Sequence, residues 1–261
     1  FESRLAWQKD PGRSRSKPLM TECMGTYYRG VLDASREGRP LAYTSVLFYP
    51  ELVNSMGLTT FPIDQYCIQM LASGRGQEYI EPGVSFGFAR EACSPHIATV
   101  GMAAAGIFPR PDLQFCTAQQ PCDSASMLAE VLNLIYRCPS FWLSMPHRYD
   151  EETIEYFKEE LWDLVAFVEK HTGLTFNEEK LREMLDNSRT CNELFEQTHE
   201  LRKLVPTPMR GRESFASMGP RMTSEGKPIV VEFLKAQYEE IKARVDKGQG
   251  AVKEERHRMV I

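Results

Sequence analysis

Short apolar runs alternate with segments of helical periodicity between residues 20 and 146. Three runs have the length and composition of buried strands: 41–48, 112–117 and 140–145. Four segments with proline or glycine at their boundaries, or with small or apolar residues on one face, predict helices: 20–37, 50–57, 93–106 and 124–137. Residues 73–87 contain several glycines and Pro82 and predict a loop. The alternation predicts an α/β fold, a parallel sheet with flanking helices that resembles a Rossmann-like or flavodoxin-like half.

The pattern becomes mostly helical after Asp150. Apolar positions at intervals of three and four residues predict three long helices: 151–170, 177–204 and 227–247. The chain is therefore expected to have four parts: an N-terminal arm and helix (1–39), an α/β domain (40–150), a helical cover segment (151–250) and the start of a second α/β domain (251–261). The last part is expected because an apolar strand begins near Arg256 and the chain then stops. This predicts a fragment of a longer subunit, with a C-terminal edge strand as the alternative.

The overall composition is that of an ordinary globular protein, with 261 residues of which 42% are hydrophobic and 26% are charged. A net charge of −5 provides no general attraction for nucleic acid. No apolar run approaches the ~20 residues needed to cross a bilayer, and the charged first residues do not resemble a secretion signal. We therefore expect a cytoplasmic protein whose partners are neither nucleic acids nor membranes.

The seven cysteines are expected to be reduced, because their number is odd and no secretion signal is evident. Cys93 and Cys122 each stand where a loop enters a predicted helix, and the positive end of a helix dipole favours a thiolate. Two such turns on one edge of a parallel sheet would suit an iron–sulfur cluster. The alternative, which the pattern alone favours, is that both are small buried or cap-neighbouring residues. Four other cysteines lie in apolar patterns and are expected in the core: Cys67, Cys116, Cys138 and Cys191.

Two polar residues beside the first predicted strand are further candidates. Glu51 lies at the mouth of this strand and Ser45 precedes it on the strand. The alternatives are that Glu51 only complements the dipole of its helix and that Ser45 is an ordinary strand residue. His96, one turn after Cys93, could bind a substrate or cap its own helix.

Four stretches in the same order resemble the benzoyl-CoA reductase and 2-hydroxyacyl-CoA dehydratase family. They are Tyr49-Pro50-Glu51-Leu52-Val53-Asn54-Ser55-Met56-Gly57 after the first strand, Cys93-Ser94 with Cys122-Asp123, the helix 187–203 followed by Pro206-Thr207-Pro208 and Gly211, and the segment 253–261. The resemblance covers residues 41–261.

The resemblance implies a heteromeric, oxygen-sensitive enzyme that reduces or dehydrates an acyl-CoA thioester by one-electron chemistry. It implies a 4Fe–4S cluster, with Cys93 and Cys122 as two of its ligands. Glu51 and Ser45 are implied as residues of the catalytic edge. The implied partners are a homologous second subunit, an ATP-dependent iron–sulfur activator protein and the acyl-CoA substrate.

The sequence departs from the family pattern because the third cluster ligand belongs to the second α/β domain, at whose expected start this chain ends. The third ligand is therefore expected outside this chain. Two alternatives remain open: a non-catalytic supporting subunit of such a complex, and a plain α/β binding protein with structural cysteines.

Overall fold

A computed structural model describes residues 16–118, 122–252 and 254–258. Residues 28–181 form one compact unit, called the sheet unit below. The described residues before Tyr28 and after Leu181 form a second compact unit, called the helical unit. The boundaries between the units fall within two long helices, α1 (Ser16–Glu37) and α8 (Glu178–Leu201).

The sheet unit contains a four-stranded sheet in the order β2-β1-β3-β4, with every neighbouring pair parallel. Its strands are β1 (Leu41–Thr44), β2 (Thr59–Pro62), β3 (Leu113–Ala118) and β4 (Ser140–Ser144). Its other helices are α2 (Glu51–Ser55), α3 (Ile63–Ala72), α4 (Ile80–Ser85), α5 (Ser94–Ala104), α6 (Asp123–Tyr136) and α7 (Glu151–Thr172). A 3-10 turn, Gln77–Tyr79, precedes α4. The predicted α/β class with a parallel sheet and flanking helices is confirmed.

The core of the sheet unit forms where α2 and α7 cover one face of the sheet. Ala42 of β1, Phe115 of β3 and Leu143 of β4 pack with Val53 of α2 and Val168 of α7, and all five are buried. In the same unit, α6 packs against β3, and α5 contacts α3, α4 and α6, most closely α4. A Cβ atom at Gly101 of α5 would lie 2.0 Å from the carbonyl oxygen of Tyr79, so only glycine fits there.

The helical unit contains the first part of α1 and most of α8, together with α9 (Gly211–Ser224) and α10 (Pro228–Asp246). Cys23 and Cys191 pack with Val230, Phe233 and Leu234 of α10 to form its core. The mostly helical character expected after Asp150 is therefore confirmed. Within the described residues, no helix is both long and apolar enough to cross a membrane.

Several predicted bounds differ from the structure. The strand expected over 41–48 ends at Thr44, because residues 45–48 turn and the N–H of Phe48 donates to the carbonyl oxygen of Ser45. The expected loop at 73–87 contains α4, and β2, α3 and α9 were not predicted. Residues 254–258 form no strand, while residues 259–261 of the predicted terminal strand lie outside the described residues. Residues 1–15 of the predicted arm also lie outside them.

Candidate functional site at the carboxyl edge of the sheet

The carboxyl edge of the sheet collects the ends of several elements. β1, β2 and β3 all end there because they are parallel, and α6 begins there after β3. β2, the next strand along the chain after β1, lies on one side of β1, and β3 lies on the other side. The strand order therefore reverses between β1 and β3. In open α/β sheets, a reversal of this kind leaves a crevice in which ligands bind.

Cys93 and Cys122 occupy equivalent positions at this edge, since each stands directly before the first residue of a helix, α5 and α6 respectively. Cys93 is exposed and Cys122 is half-buried. Partial burial raises the pKa of the Cys93 thiol. A hydrogen bond from the backbone N–H of His96 lowers this pKa, and the nearby Cys122 raises it. The Cys122 thiol thus lies close enough to Cys93 to raise its pKa. The thiolate expected from the helix position alone is outweighed at Cys93 by desolvation.

The other cysteines differ from this pair by their burial. Cys23, Cys67, Cys116, Cys138 and Cys191 are all buried. Burial raises the pKa of Cys67 to about 12 and that of Cys116 to about 11, so both remain protonated thiols at neutral pH. The core positions predicted for Cys67, Cys116, Cys138 and Cys191 are confirmed.

A buried polar network lies beside the two thiols. His96 of α5 is 6% exposed, and its Nδ1 atom lies 2.7 Å from the Oγ atom of Ser124 in α6. Its Nε2 atom lies 3.6 Å from a carboxylate oxygen of Asp64, which is 0% exposed at the start of α3. The Asp64 carboxylate also accepts hydrogen bonds from the N–H groups of Val46 and Gln65, at 3.0 and 2.9 Å. We call Asp64, His96 and Ser124 the buried network.

The sequence reasoning missed Asp64 and Ser124. An acidic residue in the first turn of a helix is usually a solvated partner of the helix dipole, and its complete burial here becomes visible only in the folded chain. His96 was identified as a candidate, and the structure places it in the network rather than in contact with open solvent.

Ser45 and Glu51 both lie where β1 leaves the sheet, and both are buried. Ser45 directly follows β1, and its Oγ atom accepts a hydrogen bond of 3.2 Å from the N–H of Leu47. Glu51 is the first residue of α2 and lies 9% exposed. The structure thus brings a hydroxyl and a carboxyl group to the edge that also carries Cys93 and Cys122.

The fit of an iron–sulfur cluster can be judged from the donor atoms. Two neighbouring, accessible thiols at helix N-termini match the thiolate ligands that such clusters need. Among residues 16–118, 122–252 and 254–258, no three His, Cys, Asp or Glu side chains converge in a metal-binding group. The described residues therefore fit two ligands of a cluster and do not provide the complete set.

Three curated proteins match this sequence at low identity. The (R)-phenyllactyl-CoA dehydratase alpha subunit of Clostridium sporogenes is 20% identical over 97% of this chain and 64% of its own length. The (R)-2-hydroxyisocaproyl-CoA dehydratase alpha subunit of Clostridioides difficile is 20% identical over 95% of the chain and 64% of its own length. A benzoyl-CoA reductase subunit of Thauera aromatica is 25% identical over 67% of the chain and 45% of its own length. The chain thus spans less than two thirds of the length of these relatives.

A family model described as 2-hydroxyglutaryl-CoA dehydratase, D-component, matches residues 46–261. The match begins just after β1 and includes Glu51, Cys93, Cys122 and the buried network. The resemblance seen in the sequence motifs is thereby confirmed. The chain belongs to the 2-hydroxyglutaryl-CoA dehydratase D-component family.

Proposed function

We propose that this chain is part of an oxygen-sensitive enzyme subunit that dehydrates or reduces an acyl-CoA thioester, and that Cys93 and Cys122 are two ligands of its 4Fe–4S cluster. The observation that supports this most is the pair of accessible thiols capping α5 and α6 at one sheet edge. The five other cysteines are all buried, so they are less suited to hold a cluster at this edge. The third ligand would come from residues outside this chain.

The residues of the edge have distinct proposed roles. When bound, a cluster of this type supplies single electrons at low potential. The Ser45 hydroxyl is suited to donate a hydrogen bond to the thioester carbonyl of the substrate. The carboxyl group of Glu51, the first residue of α2, is the proposed acid that transfers a proton to a leaving hydroxyl or to a reduced carbon atom.

The proposed partners follow from the family. The matched relatives are all named as subunits of a dehydratase or a reductase, which supports a homologous second subunit in the complex. An ATP-dependent iron–sulfur activator protein is the proposed electron donor. The acyl-CoA substrate of this chain is proposed at the level of its thioester class only.

The iron content of variants tests the proposal. The complete polypeptide that carries this sequence would be purified with its partner subunit under strict exclusion of oxygen, and its iron and acid-labile sulfide would be measured. We expect about four of each per cluster, and loss of most of both in Cys93→Ala and in Cys122→Ala. Cys191→Ala is the matched control, because Cys191 lies in the core of the helical unit, and it should retain both.

The same preparations test the catalytic residues. Glu51→Gln should retain iron and sulfide while its turnover of acyl-CoA thioesters falls, since the amide cannot supply the proton. Equal iron in all three cysteine variants would contradict the ligand assignment. Absence of iron from the unmodified protein would instead favour a supporting subunit or a binding protein with structural cysteines.

A further inference from the structure

The buried network connects four chain segments of the carboxyl edge. Asp64 at the start of α3 accepts from the N–H of Val46 in the turn after β1. It also faces His96 of α5, and His96 in turn contacts Ser124 of α6. These segments are distant in sequence, since Asp64 and Val46 are 18 residues apart and His96 and Ser124 are 28 apart.

Three of the four candidate site residues lie close in sequence to a member of this chain of contacts. Cys93 is one helical turn before His96, Cys122 is two residues before Ser124, and Ser45 directly precedes Val46. His96 is therefore the only side chain of the network that touches both the α3 carboxylate and the helix that begins at Cys122. A shift of its ring would move the N-termini of α5 and α6 relative to each other.

The two ring nitrogens of His96 face different groups. Nδ1 shares a 2.7 Å hydrogen bond with the hydroxyl of Ser124, which can either donate or accept, and Nε2 faces a carboxylate oxygen of Asp64 at 3.6 Å. Since His96 and Asp64 are nearly inaccessible, solvent cannot replace either contact without opening the helix pair.

We infer that His96, held by Asp64 and Ser124, is a positioning residue that sets the spacing of the Cys93 and Cys122 thiols. This deepens the proposed function and rests on it for its consequence, since a cluster needs ligands at a fixed separation. The spacing itself is a property of the chain and can be measured on free thiols. A failure of the inference can therefore be distinguished from a failure of the cluster assignment.

The test uses phenylarsine oxide, which binds stably only where two thiols converge. The complete polypeptide would be freed of iron by chelation and reduced, and the bridging rate would be followed by intact mass. In the unmodified protein, we expect one equivalent to bind, and the combined substitution of Cys93→Ser and Cys122→Ser to abolish binding. Alkylation of Cys93 by iodoacetamide, a reaction of one thiol, is measured in parallel.

Substitutions in the network should slow bridging without slowing single-thiol alkylation. We expect Ser124→Ala to lower the bridging rate about tenfold, corresponding to the loss of one hydrogen bond of about 1.4 kcal/mol. His96→Leu should lower it further, whereas His96→Asn should restore most of it, because the amide oxygen can accept from Ser124. Ser140→Ala is the matched control, since Ser140 is also half-buried and hydrogen-bonded but begins β4 at the opposite edge of the sheet.

The inference is overturned if Ser124→Ala bridges at the unmodified rate, or if Ser140→Ala slows bridging equally. It is also overturned if alkylation and bridging fall in parallel, since accessibility rather than spacing would then have changed. Ser124 is half-buried and at the start of its helix, so this variant remains informative even if His96→Leu does not fold.

Discussion

Removal of the Asp64 carboxylate should destabilise the sheet unit strongly, although the residue is an acid in the first turn of a helix. The carboxylate is 0% exposed and accepts hydrogen bonds from the N–H groups of Val46 and Gln65. A hydrogen bond to a charged group contributes about 1.5–3 kcal/mol, and a buried donor left without an acceptor costs a similar amount. Because Val46 is only half-buried, water can accept a hydrogen bond from its N–H group and reduce this cost. We therefore expect Asp64→Ala to lower the free energy of unfolding by about 3–5 kcal/mol.

Two further variants separate hydrogen bonding from other effects. In Asp64→Asn, the amide oxygen can still accept one hydrogen bond, but the amide NH₂ group faces the second donor, so the expected loss is about 1–3 kcal/mol. Asp150→Ala is the matched control, because the exposed Asp150 also accepts from a backbone N–H, that of Thr153, at 2.9 Å. Water can reach this N–H group, so the control should lose no more than about 1 kcal/mol.

The assay is guanidinium unfolding at neutral pH, monitored by tryptophan fluorescence. Trp142 in β4 and Trp162 in α7 both belong to the sheet unit, so their signal reports on the part of the chain that contains Asp64. A loss below about 1 kcal/mol in Asp64→Ala, or equal losses in Asp64→Ala and Asp150→Ala, would refute the reasoning. Either result would mean that the buried carboxylate is not a significant acceptor for the turn after β1.

Two other predictions concern the core of the sheet unit. The free energy of unfolding should fall as the pH rises from about 9 towards about 12, because folding raises the pKa of Cys67 and Cys116 and the unfolded thiols release their protons first. Denaturant titrations at several pH values should show a smaller fall in a variant with alanine at both positions. A fall of the same size in that variant would contradict this. Gly101→Ala should lower the melting temperature by an amount equivalent to about 1–3 kcal/mol, because the new Cβ atom would meet a backbone oxygen at 2.0 Å. Gly30→Ala in α1, where nothing lies within 4 Å, should be neutral or slightly stabilising, and a similar loss in both variants would argue against the close helix crossing.

Some features of the fold are predictable from the sequence because they depend on neighbouring residues. The helices α7 and α10 match the predicted spans within a few residues, since their apolar positions recur every three to four residues and Gly173 ends α7. The positions of Cys93 and Cys122 as helix caps were also predictable, because Pro95 and Asp123 are typical of the first turn of a helix.

Other elements could not be predicted because their local signals are weak or conflicting. β2 has only four residues, and Phe61 is its one large apolar side chain. The local pattern extends β1 beyond its true end, because Val46, Leu47 and Phe48 are strand-forming residues. In the fold they turn instead, and the N–H of Val46 binds the Asp64 carboxylate, a contact that no local pattern encodes.

By itself, the sequence determined the α/β class, the reduced buried cysteines and the positions of the two thiols at helix N-termini, because each follows from spacing and residue type within a short window. Only the tertiary structure decided that Asp64, His96 and Ser124 meet in one buried network, and that the network lies beside both thiols. Such contacts join segments 28 to 32 residues apart in the chain, and they form because parallel strands bring their carboxyl ends to one edge of the sheet.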